Sequence, residues 1–145
     1  MCDQLWSEYE MLFGVYEAYN DQSLVLKGWS VTLSLAAIAA AYSEKVGTQG
    51  RMVVWMSAAA AGVFWLLDAF WKSYQLVYLQ MLEGLEQNWA CTAGMDGPMI
   101  IQQWEAVYRS WHFLTVLHYP SVFLPHVFVV VLGIGLALFY PPRSE

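Results

Sequence analysis

Three long runs without Asp, Glu, Lys or Arg alternate with stretches in which apolar residues recur every three or four positions. The clearest run is Met52 to Leu67, and its helical register continues past Asp68 with polar residues entering at intervals. This pattern predicts one helix over 52–90 that leaves the bilayer near Asp68 and Lys72 and extends into water. Leu24 to Ser43 predicts the first crossing, since that length spans about 30 Å of hydrocarbon. Tyr119 to Tyr140 predicts the third. Pro120 and Pro125 stand at its start, where Pro125 bends or restarts the helix, and Pro141 and Pro142 end it.

Outside these runs the pattern is amphipathic. Leu5, Tyr9, Leu12, Tyr16 and Tyr19 share one face, widened by Trp6 and Phe13, while Glu8, Glu10 and Glu17 fall elsewhere. A helix over 3–20 is expected, closed by a break at Asn20 to Ser23 whose polar residues cap the next helix. A second amphipathic helix is expected over 99–118, carrying Ile100, Trp104, Tyr108, Trp111 and Thr115 on one stripe. Beyond Asp68, Trp71, Gln75, Tyr78, Leu82, Leu85 and Trp89 trace a third. The expected fold is therefore all-α: three transmembrane helices with a juxtamembrane helical bundle, forming one domain over 1–145.

Small residues mark where the crossings approach. Ser34 follows Ser30 by one turn, and Ala37 and Ala41, Ser57 and Ala61, Ala58 and Gly62, and Gly133 and Ala137 are similarly spaced. Apolar burial drives no association inside lipid, so close backbone approach and polar contacts take over. These faces serve the hairpin of the first two crossings or self-association of the chain.

Composition supports this reading. Charged residues make up 12% and apolar residues 59%, about half the usual charge fraction of a soluble domain. Eight Trp and nine Tyr exceed the needs of an anchor and point to interfaces and packed protein contacts. Net charge is −6, and all carboxylates except Glu44 and Glu145 lie on the bundle side. A nucleic-acid partner is excluded by that balance. The lysines and arginines divide evenly: Lys27, Lys72 and Arg109 against Lys45, Arg51 and Arg143. The positive-inside rule gives no orientation. Cys2 and Cys91 form no recognisable pair, and no basic leader with an apolar core is visible, so a cytoplasmic N-terminus is expected.

The candidate chemistry is sparse. Asp68 and Lys72 are one turn apart, and Lys27 reaches the same level on the antiparallel neighbour. Such a charge cluster at the membrane boundary fixes helix depth, gates an ion path or binds a headgroup. His112, His118 and His126 do not stack as a metal-binding HxxxH pair. They are packed or interfacial histidines, or at most single axial ligands. No nucleotide loop, nucleophile elbow or zinc spacing occurs, so no enzyme and no cofactor is expected.

Leu26-Lys27-Gly28-Trp29-Ser30-Val31-Thr32-Leu33 and Phe64-Trp65-Leu66-Leu67-Asp68-Ala69-Phe70-Trp71 resemble stretches of a group of small bacterial membrane proteins. There a Lys-Gly-Trp opens the first crossing and a Phe-Trp-Leu-Leu-Asp-Ala run closes the second. The group is similar to the two-transmembrane effectors of bacterial anti-phage and conflict systems. The resemblance spans roughly residues 24 to 85. It implies a self-associating, defence-type effector or sensor at the inner membrane. This chain departs in its third crossing and in Gln75, Leu76 and Leu79, where the group is rich in Glu and Arg. The alternatives are an accessory subunit of a larger membrane complex, contacting partner subunits or haem, pigment or quinone, and a small channel or transporter subunit. The lipid bilayer, further membrane subunits and a cytosolic protein are the expected partners.

Overall fold

The computed structural model describes residues 2–43, 49–87, 100–108 and 113–142. Five helices account for most of these residues: α1 (Cys2–Ala41), α2 (Gly50–Gln87), α3 (Ile100–Tyr108), α4 (Phe113–Val116) and α5 (Pro120–Phe139). Three of them, α1, α2 and α5, are long and apolar enough to cross a membrane. The chain is an all-α membrane protein. Helices α1 and α5 both run antiparallel to α2 and pack against it more extensively than against each other. Large apolar side chains point outward at matching levels on all three, among them Leu24, Trp29, Val63, Leu67, Leu124 and Phe128, as lipid contact requires.

The helix α1 corrects one expectation. No break occurs at Asn20 to Ser23; one helix of 40 residues runs through. Asn, Asp and Ser each cost only about 0.5 kcal/mol in a helix interior, and neither Gly nor Pro interrupts these four positions. Asp21 and Gln22 face outward, while Ser23 turns inward to a buried partner on α2. Tertiary contacts outweigh local capping preference. At about 1.5 Å per residue α1 extends about 60 Å, twice the hydrocarbon thickness. Roughly half of it therefore stands outside the bilayer beside the upper part of α2.

Pro125 also neither ends nor restarts its helix; α5 continues through it. Near a helix start, a proline removes only one backbone bond, here the one the Ser121 carbonyl would accept. The segment expected as one helix over 99–118 shows α3 and α4 on either side of residues 109–112, which lie outside the described set.

Packing differs along the long axis. At the end away from the bundle, Ala41, Val54 and Ala137 form a small apolar cluster. The Tyr42 hydroxyl donates to the Tyr140 carbonyl at 2.5 Å. A Cβ at Gly50 would lie 2.5 Å from the Ala41 carbonyl oxygen and 2.8 Å from the Pro142 Cβ. Glycine is the residue that lets these three chain segments converge. Halfway up, a Cβ at Gly133 would come within 3.0 Å of the Ala58 Cβ.

In the bundle, Leu5, Leu12, Val77, Met81, Leu82 and Leu85 form the core, with Tyr9, Tyr16, Trp104 and Tyr108 packed against it. Rings continue the contact: Tyr19 meets Trp71 at 5.3 Å and Tyr78 at 5.5 Å, and Trp104 stacks on Tyr108 at 4.8 Å. Tyr9 donates to Glu86 Oε1 at 2.8 Å.

Candidate functional site

The site lies where the three crossings meet the bundle. Asp68 is the centre, and its side chain is fully buried. A bare carboxylate there would cost several kcal/mol, so its oxygens must be occupied. From α1, the Lys27 ammonium lies 3.0 Å from Oδ1 and 2.9 Å from Oδ2. The Ser23 hydroxyl donates to Oδ1 and in turn accepts from Lys27. From α5, His126 Nε2 lies 3.4 Å from Oδ2, and its Nδ1 lies 2.8 Å from the Ser30 hydroxyl on α1. Ser30 and His126 are both fully buried. One carboxylate on α2 thus holds both flanking helices.

The periodicity of α1 explains how. Ser23, Lys27, Ser30 and Ser34 recur every three or four residues, so they form an inward polar stripe along the part of α1 whose other faces are largely apolar. Below Ser30, the Ser57 hydroxyl donates to the Ser34 carbonyl at 3.0 Å. Beneath that, Ile38, Ala41, Val54 and Ala137 close the interior with apolar atoms.

Lys72 does not pair with Asp68 as the spacing suggests. Its ammonium donates to Gln75 Oε1 at 2.6 Å, and Gln75 Nε2 reaches the Tyr16 carbonyl at 3.4 Å. The physical reason is competition. Both Asp68 oxygens are directed at α1 and α5, and Lys27 with Ser23 and His126 already fills them.

The histidines separate. His126 belongs to the joint, with both ring nitrogens engaged, so ligating a metal or haem would break those contacts. His118 is exposed, with Nδ1 at 2.8 Å from the Leu114 carbonyl oxygen. His112 lies outside the described residues. Among the described residues no group of His, Cys, Asp and Glu is arranged to hold a metal ion.

The small-residue positions are largely consumed inside the chain. Ser34, Ala41, Ser57, Ala58, Ala61, Gly133 and Ala137 are buried between α1, α2 and α5, and Ala37 and Gly62 are half-buried. They set the spacing of the three crossings rather than forming a free face.

Sequence reasoning missed Ser23 and Ser30, and it left His126 apart from Asp68. The signal was present in the serine periodicity of α1, which reads equally as a close-packing stripe. Chemically, the joint can hold charge between the helices. Ser30, His126 and Asp68 are connected like a nucleophile, base and orienting acid, yet Ser30 is fully buried and no substrate carbonyl can approach it in this arrangement. No family model matches the chain, and no curated protein or solved structure matches it either.

Proposed function

We propose that the protein is a non-enzymatic accessory subunit of a membrane complex, locked by the Asp68 joint, that presents the outward flank of α1 to another membrane protein. The observation that carries this is apolar exposure beyond the bilayer. Trp6 and Phe13, on one side of the helix, are 53% and 47% exposed. Phe13 stands about 16 Å along the helix axis above Leu24, out of reach of lipid tails. Exposed aromatics in water mark a protein contact.

The same flank carries Glu10 and Glu17, both exposed. A second copy would set carboxylates against carboxylates, whereas a helix bearing Lys or Arg complements them. A bacterial inner membrane with the bundle in the cytoplasm suits this reading. The two cysteines, whose separation specifies no disulfide framework, support that side.

One observation favours self-association instead, as the resemblance to two-transmembrane effectors implies. Gly28, Thr32, Ala36 and Ala40 are spaced one turn apart and all are exposed. An added Cβ at Gly28 meets nothing within 4 Å. Such a stripe admits a close helix neighbour in lipid.

The native mass of the protein extracted in mild detergent separates the readings. An accessory subunit gives a complex whose protein mass is not a whole multiple of the chain, and which Glu10→Lys with Glu17→Lys dissociates. A self-associating effector gives a whole multiple, disrupted by Gly28→Leu. A lone chain under mild extraction sinks both.

A further inference from the structure

We infer that Lys27 and Lys72 form a binding site for an anionic phosphate group at the level where the crossings leave the bilayer, filled by the headgroup of an acidic phospholipid. Two ammonium groups lie here around one carboxylate. Lys27 is paired with Asp68, and both charges act on Lys72, Lys27 repelling it and Asp68 attracting it. Lys72 is half-buried, and its hydrogen-bond acceptor is the neutral Gln75 amide oxygen. Among the described residues Lys72 meets no carboxylate at salt-bridge distance; the lysine there that does is Lys27, with Asp68. Among the described residues, the two ammonium groups share the single carboxylate of Asp68, which leaves a surplus of one positive charge.

That surplus stands in a half of the protein whose sequence is otherwise acidic. Glu17 and Asp21 are exposed on the outer side of α1, whereas Lys27 and Ser23 face α2. The height is that of a headgroup. Phe70 and Trp29 are exposed, each about 3 Å nearer the bilayer along its helix than Lys72 and Lys27. Basic recesses between transmembrane helices at this depth take lipid phosphates, and an ammonium on a flexible stem reaches outward to meet them. A phosphate oxygen would displace the Gln75 amide and supply the charge Lys72 lacks. A soluble phosphate offers the same oxygens, so the ligand source is part of the test.

The full chain is reconstituted in phosphatidylcholine nanodiscs, with and without phosphatidylglycerol as a minor component, and its thermal unfolding is followed by tryptophan fluorescence. Phosphatidylglycerol raises the wild-type midpoint by about 3 °C, and native mass spectrometry finds that lipid retained. Lys72→Gln, verified as folded by circular dichroism in phosphatidylcholine, loses both effects. Arg51→Gln, at the opposite membrane face, keeps them. If inorganic phosphate added to phosphatidylcholine discs produces the same Lys72-dependent rise, the site holds and its ligand is a soluble phosphate. An unchanged wild-type midpoint with every anion overturns the inference. So does a full phosphatidylglycerol effect in Lys72→Gln, or an equal loss in Arg51→Gln.

Discussion

The two halves of this molecule solve one packing problem with different side chains. Within the bilayer the helices touch through Ala58 and Gly133, Ala41 and Ala137, and the Ser57 hydroxyl on the Ser34 carbonyl. Above it they touch through Leu12, Met81, Leu82, Tyr9, Tyr16 and Trp104. Lipid tails are as apolar as leucine, so burying leucine between helices gains little there; small residues and polar bonds hold instead. Water penalises each exposed methylene by about 0.8 kcal/mol, so the bundle uses large aromatic and aliphatic groups. The Asp68 joint lies where one regime gives way to the other. It supplies the direct charged link that the membrane half otherwise lacks among its described residues.

The contrast breaks most severely at the joint. Asp68→Asn leaves the Lys27 ammonium largely buried against neutral groups, and loss of one partner of such a pair costs about 3–5 kcal/mol. Chemical unfolding in detergent should show that loss. An effect no larger than that of an exposed substitution would mean the joint is decorative. In the bundle, Leu12 is 1% exposed, and Leu12→Ala should cost about 2–5 kcal/mol through lost burial and the cavity left behind. That substitution should release the bundle first, seen as faster amide exchange in the outer half of α1, with the membrane half still protected.

Glycine substitutions sharpen the comparison at intermediate size. Gly133→Val forces atoms into the 3.0 Å approach to the Ala58 Cβ and should cost about 1–3 kcal/mol. Gly84→Ala, in the bundle half of α2, meets nothing within 4 Å and should gain up to about 1 kcal/mol from helix propensity. Equal effects at the two sites would contradict the close-approach account.

The smallest effect is electrostatic. Its bond to the Glu86 carboxylate pushes the Tyr9 phenol above its ordinary value of 10.0. A raised phenol stabilises the fold below that ordinary value, and the contribution fades as pH rises through the folded-state value. Tyr9→Phe should therefore lie closer to wild type in stability above pH 10 than at pH 7. A difference that widens with alkalinity would reverse the sign.

Much of this architecture was legible in the residues, for physical reasons that also explain the failures. The crossings were readable because a charge-free run of bilayer length has few alternatives, as at Met52 to Leu67. Bundle faces were readable because Leu5, Leu12, Leu82 and Leu85 keep the helical period. Asn20 to Ser23 misled because capping preference is local, whereas Ser23 is held by a residue on another helix. Lys72 misled for a related reason: spacing shows which groups can meet Asp68 along α2, not which arrive from α1 and α5. His126 was visible only as one of three histidines, since its partner Ser30 is nearly a hundred positions away in the chain.

The most direct test is a double-mutant cycle between Lys27→Gln and Asp68→Asn, with unfolding free energies measured in one lipid or detergent system. If Asp68 pins α1 to α2 as described, the double variant is less damaged than the sum of the singles, with a coupling of about 1–3 kcal/mol. Additivity within about 0.5 kcal/mol would show that the two residues stabilise the protein independently, and the joint would not be the bond that holds these crossings together.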